Sequence, residues 1–189
     1  MNDQTDFLRR ITEKLSAANI PFMLVGSIAA SYHGHPRSTL DIDAVVDADE
    51  ETLCRFTRSL GEGYYVSEES VRQAVRSRSV FNIIDEASGY KADLIVRKNR
   101  PFSQTEFKRR IRVKLLDQVL DIAAPEDVIL AKLEWSKLGE SERQWNDALQ
   151  VARTQKEHLD LAYLEKWAVE LGVADLWNRM RELVYPEKR

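Results

Sequence analysis

Residues 22–46 read FMLVGSIAASYHGHPRSTLDIDAVV, and few architectures accommodate that order. Pro21 pushes Ile20 towards extended geometry, so Phe22-Met23-Leu24-Val25 is expected as a short buried strand. Gly26-Ser27 ends it, and Ile28 to Tyr32 resumes as a short helix that Gly34 and Pro36 close. Leu40 to Val46 follows as a second strand. Its alternation places Asp41 and Asp43 on one face and Leu40, Ile42 and Ala44 on the other.

The rest of the chain supplies partners for those two strands. Phe7, Leu8, Ile11, Leu15 and Ala18 recur at helical spacing, which predicts an amphipathic helix over 6–18. Asp49 is placed to cap a helix that runs to Leu60. Tyr64 to Val66 forms a short strand, and Ser67 caps a helix to Arg76. Val80 to Ile84 and Tyr90 to Val96 read as strands joined by a hairpin-length connection containing Gly89. Ser103-Gln104-Thr105-Glu106 has the capping-box pattern and is expected to open a short helix. Arg112 to Ile122, rich in β-formers, predicts one more strand, bent. From Pro125 onward the pattern is helical: Ser141 and Asp160 open new helices, and Gly172 precedes the last, around Leu176 to Val184. The expected fold is α/β (α+β), with a mixed domain over 1–122 and a helical C-terminal subdomain over 123–189 packed on it.

A hydrophobic content of 43% and a charged content of 31% suit such a globular chain and supply ample core. The net charge of -3 argues against a protein that coats nucleic acid through its overall field. Cys54 is the only cysteine, so no intrachain disulfide forms. Met1 to Arg10 has no apolar signal core, and no apolar run reaches the length a bilayer requires. A cytoplasmic protein without membrane contact is expected.

The residues of the opening stretch each have a use in phosphoryl transfer. Gly26 allows a sharp turn and a close backbone approach to a ligand, because no Cβ blocks it. Ser27 starts a helix, where free N–H groups favour phosphate and its hydroxyl can donate. Asp41 and Asp43 have Cβ atoms about 7 Å apart by strand geometry, close enough to share a divalent cation. Two like charges side by side are costly unless a cation sits between them. Magnesium suits the pair, since it takes few carboxylates and keeps positions for phosphate oxygens and water. A second ion requires a third carboxylate, and Asp93, within the apolar run Ala92 to Val96, fits that place. Such a clamp supports in-line attack on the α-phosphate of a nucleotide, with pyrophosphate leaving. No Gly-x-x-x-x-Gly-Lys occurs, which disfavours P-loop chemistry.

An apolar strand, Gly-Ser, a helix and then Asp-x-Asp on the next strand resembles the signature of the DNA polymerase beta-like nucleotidyltransferase superfamily. Arg37-Ser38-Thr39-Leu40-Asp41-Ile42-Asp43 is similar to the Arg-x-Thr-x-Asp-Ile-Asp of its bacterial toxin-like, abortive-infection-related branch. The specific part of the likeness covers residues 20–47, and a looser match runs to about Val151. The resemblance implies a small mixed twisted sheet flanked by helices. It also implies an NTP substrate, with one or two Mg²⁺ ions on Asp41, Asp43 and Asp93. Gly26, Ser27, Arg37 and Lys132 are then the nucleotide contacts. Lys132 enters through the resemblance alone, as the lysine early in a following helix. The acceptor hydroxyl implied belongs to an RNA or tRNA end, a protein or a small molecule, in a toxin–antitoxin or phage-defence setting.

Ordinary structural uses stand beside these. Asp41 and Asp43 can form the solvent face of an edge strand, and Val80 to Val96 a hairpin with Lys91 and Asp93 facing water. Arg37 either orients a triphosphate or balances the acidic strand. Arg143 and Asp147 match a further motif of the same branch, or form a surface ion pair at helical spacing. His33 and His35, with no cysteine nearby, read as structural or solvent-facing. From Arg97 to Lys114 eight basic residues stand against Glu106 alone, either to receive nucleic acid or as a solvated face. Trp135, Trp145, Trp167 and Trp177 fall in the helical third, as core or as an interface for a protein partner. The alternative function is a nucleotidyltransferase fold that binds without catalysing, as an antitoxin or structural protein.

Overall fold

The computed structural model describes residues 3–34, 36 and 41–186, so Arg37 and His35 lie outside the described residues. In chain order the elements begin α1 (Asp3–Ala17), β1 (Phe22–Leu24), α2 (Gly26–Tyr32), β2 (Asp41–Val46) and α3 (Glu50–Arg58). They continue β3 (Tyr64–Tyr65), α4 (Glu68–Ser77), β4 (Val80–Asp85), β5 (Lys91–Val96), α5 (Pro101–Arg109), β6 (Ile111–Leu115) and β7 (Gln118–Ile122). Four helices close the chain: α6 (Pro125–Gly139), α7 (Glu142–Gln155), α8 (Leu161–Glu170) and α9 (Ala174–Val184). None of the described helices is long and apolar enough to cross a membrane. Two compact units divide the chain, Met1–Val25 with Ser38–Ile122 and Gly26–Arg37 with Ala123–Arg189.

The first unit holds a seven-stranded sheet in the order β3-β4-β5-β2-β1-β7-β6. β2 pairs antiparallel with β1 and parallel with β5, so the sheet is mixed. The central strands are apolar on alternate residues: Ile42, Ala44, Ala92 and Leu94 are buried, while Asp41, Asp43, Lys91 and Asp93 occupy the other face. The stripe read along α1 is core, with Phe7, Ile11 and Leu15 fully buried. Each such side chain contributes about 1.5–3 kcal/mol of burial. Asp49 accepts from the Thr52 amide at 2.8 Å and Ser67 from that of Ser70 at 3.2 Å, so both predicted caps start their helices.

Two local expectations need correcting. α5 opens at Pro101, two residues before the capping-box serine; a proline at the first helical position has its φ already set and lacks an N–H that would be orphaned there. Ser103 is buried within the helix, and its hydroxyl accepts from Arg100 Nε at 3.1 Å. The single bent strand over Arg112 to Ile122 is instead the antiparallel hairpin β6–β7, in register from Ile111↔Ile122 to Leu115↔Gln118. Leu116 and Asp117 make its two-residue turn with φ of 50° and 61°. A turn of that hand normally announces itself with Asn-Gly, and Leu-Asp hides it.

The second unit gathers α2 with α6 to α9. Its core includes Trp177 and Trp167, whereas Trp135 is 60% exposed on α6. Trp145 lies under the Arg179 guanidinium at 5.1 Å. The C-terminal end of α2 is tied to the helices that follow. His33 Nε2 meets the Ala123 carbonyl at 2.8 Å, and Gln155 Nε2 donates to the His33 carbonyl at 2.9 Å. Burial pushes the His33 imidazole below its ordinary pKa, against the raising effect of that carbonyl contact. His33 is therefore a packed structural histidine.

Gly34 completes the junction at a φ of 117°, and a Cβ there would stand 2.2 Å from Thr154 Cγ2. Gly34→Ala combines a steric overlap with a backbone conformation that L-residues avoid. It is expected to lower unfolding free energy by about 2–3 kcal/mol. Urea titration measures it, and a loss below about 0.5 kcal/mol would show that the junction yields freely.

Candidate active site

The site begins with the parallel pairing of β2 and β5. Its register sets Asp41 opposite Lys91 and Asp43 opposite Asp93, while β4 sets Asn82 opposite Asp93. Cross-strand partners share a face, so three carboxylates, one ammonium and one amide form a polar row on adjacent strands. The three acidic residues singled out in the sequence are thereby neighbours, though Asp93 lies 50 positions beyond Asp43 in the chain.

Lys91 organises the row. Its Nζ lies 3.0 Å from Asp93 Oδ2 and 3.9 Å from Asp41 Oδ1. Asn82 Nδ2 donates to the other oxygen of Asp93 at 2.5 Å. The Asp93 hydrogen bond, with the charges of Asp93, Asp41 and Asp43, raises the Lys91 pKa above its usual value despite some desolvation. Alternation along β5 sets Lys91 and Asp93 on one face, but no motif in the sequence gives Lys91 a role. The signal was present in its two-residue spacing from Asp93. Asn82 carried none.

The donor set fits a hard divalent cation, since it consists of carboxylate oxygens on adjacent strands. Among the described residues, however, no three His, Cys, Asp or Glu side chains are gathered tightly enough to hold a metal ion.

The chain leaves β1 at Val25, whose amide donates to the Asp43 carbonyl at 2.9 Å. Within the second unit, Gly26 adopts a φ of 59°, in the left-handed region that favours glycine, and Ser27 is buried in the first turn of α2. Lys132 is also buried in that unit. Its Nζ donates to Asp147 Oδ2 at 2.7 Å and to Gln144 Oε1 at 3.0 Å. Asp147 is thus the partner of Lys132 on α6, and the surface ion pair with Arg143 suggested by spacing does not describe it.

The basic run from Arg97 to Lys114 is partly neutralised by acids that lie outside it in the chain. Arg97 pairs with Asp47 at 2.9 Å, and Arg110 and Arg112 share Asp121 at 3.1 and 3.0 Å. Lys114 lies 3.4 Å from Asp117. A count along the chain overstated the charge of this surface.

No family model matches the sequence, and no curated protein matches it. Solved structures do match the fold. The solution structure of the antibiotic-resistance factor ANT(2'')-Ia is 12% identical with a TM-score of 0.59, covering 96% of this chain and 95% of that one. A crystal structure of ANT(2'')-Ia with adenylyl-2''-tobramycin is 13% identical with a TM-score of 0.55, covering 94% and 99%. An antigenic nucleotidyltransferase-like protein from Paracoccidioides brasiliensis is 14% identical with a TM-score of 0.56, covering 97% of each chain. The mixed sheet and its helices have the nucleotidyltransferase fold, which the Gly-Ser…Asp-Ile-Asp pattern resembles.

Proposed function

We propose that the protein transfers a nucleoside monophosphate from an NTP to an acceptor hydroxyl. The observation that carries this reading is the register of β2 and β5, which sets Asp43 beside Asp93 with Asp41 two residues away on the same face. In the proposed reaction the acceptor oxygen bonds to the α-phosphorus, the bond to the bridging β-phosphate oxygen breaks, and pyrophosphate departs. Asp41, Asp43 and Asp93 are assigned to holding one or two Mg²⁺ ions, which when bound supply Lewis-acid stabilisation of the charge developing on the phosphoryl oxygens. Asp93 is also assigned to receiving the acceptor hydroxyl's proton. Asn82 fixes the orientation of its carboxylate for that task. Gly26 and Ser27 are assigned to the phosphates. Arg37 and Lys132 counter their charge, with Asp147 steering the Lys132 ammonium.

The acceptor is proposed to be an RNA end, a protein or a small molecule. The adenylylated aminoglycoside held by ANT(2'')-Ia illustrates the last of these in that protein. A second reading, a fold that binds nucleotide without transferring it, is favoured by one observation: a lysine already occupies the acidic row. One experiment separates the two. Purified protein incubated with α-labelled NTPs, Mg²⁺ and cell lysate should transfer label to a discrete acceptor and release pyrophosphate. NTP binding without label transfer supports the second reading, and absence of nucleotide binding defeats both.

A further inference from the structure

We propose that Lys91 is a tethered counter-ion of the acidic row, which a divalent cation must displace, and that it thereby sets the cation concentration at which the site becomes competent. This rests on the nucleotidyl-transfer reading above and concerns how that same site is regulated.

The geometry supports it in three ways. Lys91 opposes Asp41 in the register and precedes Asp93 by two residues, so its stem rises from the same face as the three carboxylates, level with Asp41. Its ammonium reaches a carboxylate on each of the two strands, at 3.0 Å from Asp93 and 3.9 Å from Asp41. The side chain is 35% exposed, so water can take it up when it is released. A flexible four-carbon stem allows that movement, and a compact ammonium gives up a carboxylate more readily than a forked guanidinium bound at two points. Loss of that charge adds to the repulsion among three neighbouring carboxylates and lowers the stability of the metal-free sheet. With the ammonium present, an incoming cation meets a like charge already in place.

Full-length wild type, Lys91→Gln and Lys91→Arg are to be compared without nucleotide. Mn²⁺ binding is read by electron paramagnetic resonance, and melting is followed with and without the metal. Lys91→Gln should bind Mn²⁺ roughly three- to tenfold more tightly, the scale of one or two partly exposed ion pairs removed from competition. It should melt below wild type when metal-free and return to the wild-type value when metal-saturated. Lys91→Arg should melt as wild type does without metal and bind Mn²⁺ no more tightly. If wild type binds Mn²⁺ and Lys91→Gln binds it equally or more weakly, the counter-ion role is overturned while the metal-dependent reading stands. If neither protein binds Mn²⁺, both fall together.

Discussion

Asp43→Asn is expected to reduce label transfer on the order of 10³-fold, the scale seen when one group that stabilises transition-state charge is removed. Asp43 sits at the centre of the row, opposite Asp93 on β5 and two residues from Asp41. Asparagine keeps its size but presents one neutral oxygen, so the row loses one charge of three. Folding should be spared. Ile42 and Ala44, on the opposite face, carry the burial of this strand, and removing one of several like charges relieves repulsion. Melting temperature should therefore stay within about 4 °C of wild type. Asp41→Asn should behave alike in turnover, and its distant pairing with Lys91 across 3.9 Å at an exposed position has little weight in stability. The measurement is pyrophosphate release under saturating NTP and Mg²⁺, with melting curves on the same preparations. A variant that keeps a tenth or more of wild-type turnover, roughly 1.4 kcal/mol in barrier, would remove Asp43 from the chemistry.

How much of the fold and site is legible in the sequence follows from what each feature depends on. Period and punctuation determine elements locally, so the strand before Gly26, the alternation of Asp41 and Asp43, and the caps Asp49, Ser67, Ser141 and Asp160 could be read directly. The β6–β7 hairpin could not, because Leu116-Asp117 reaches left-handed φ without a glycine or asparagine to signal it. Side-chain partners depend on register between distant strands, which no local pattern encodes. Asn82 meets Asp93 through the pairing of β4 with β5, Lys91 meets Asp41 through that of β5 with β2, and Asp121 on β7 gathers Arg110 and Arg112. The same limit explains Asp147. An Arg-x-x-x-Asp spacing on one helix suggested Arg143, but burial against α6 chose Lys132.

That buried pair carries the second large expectation. Lys132 and Asp147 are only 5% and 3% exposed, and each is a charge held away from water beside an opposite one at 2.7 Å. Lys132→Met leaves the Asp147 carboxylate buried without its ammonium, and Asp147→Leu leaves the ammonium without its carboxylate. Either change alone should cost about 3–5 kcal/mol. The double variant Lys132→Met/Asp147→Leu removes both charges at similar volume. It should recover most of that loss, giving a coupling of about 2 kcal/mol or more in a double-mutant cycle by urea denaturation. Stability and function then separate in one protein. If Lys132 counters the charge of bound NTP as proposed, the refolded double variant should show a KM for NTP raised about tenfold, the effect of removing one charge-assisted hydrogen bond to phosphate. Single variants within about 1 kcal/mol of wild type would mean that water reaches the pair, and an unchanged KM in a stable double variant would assign Lys132 to the core of the helical unit alone.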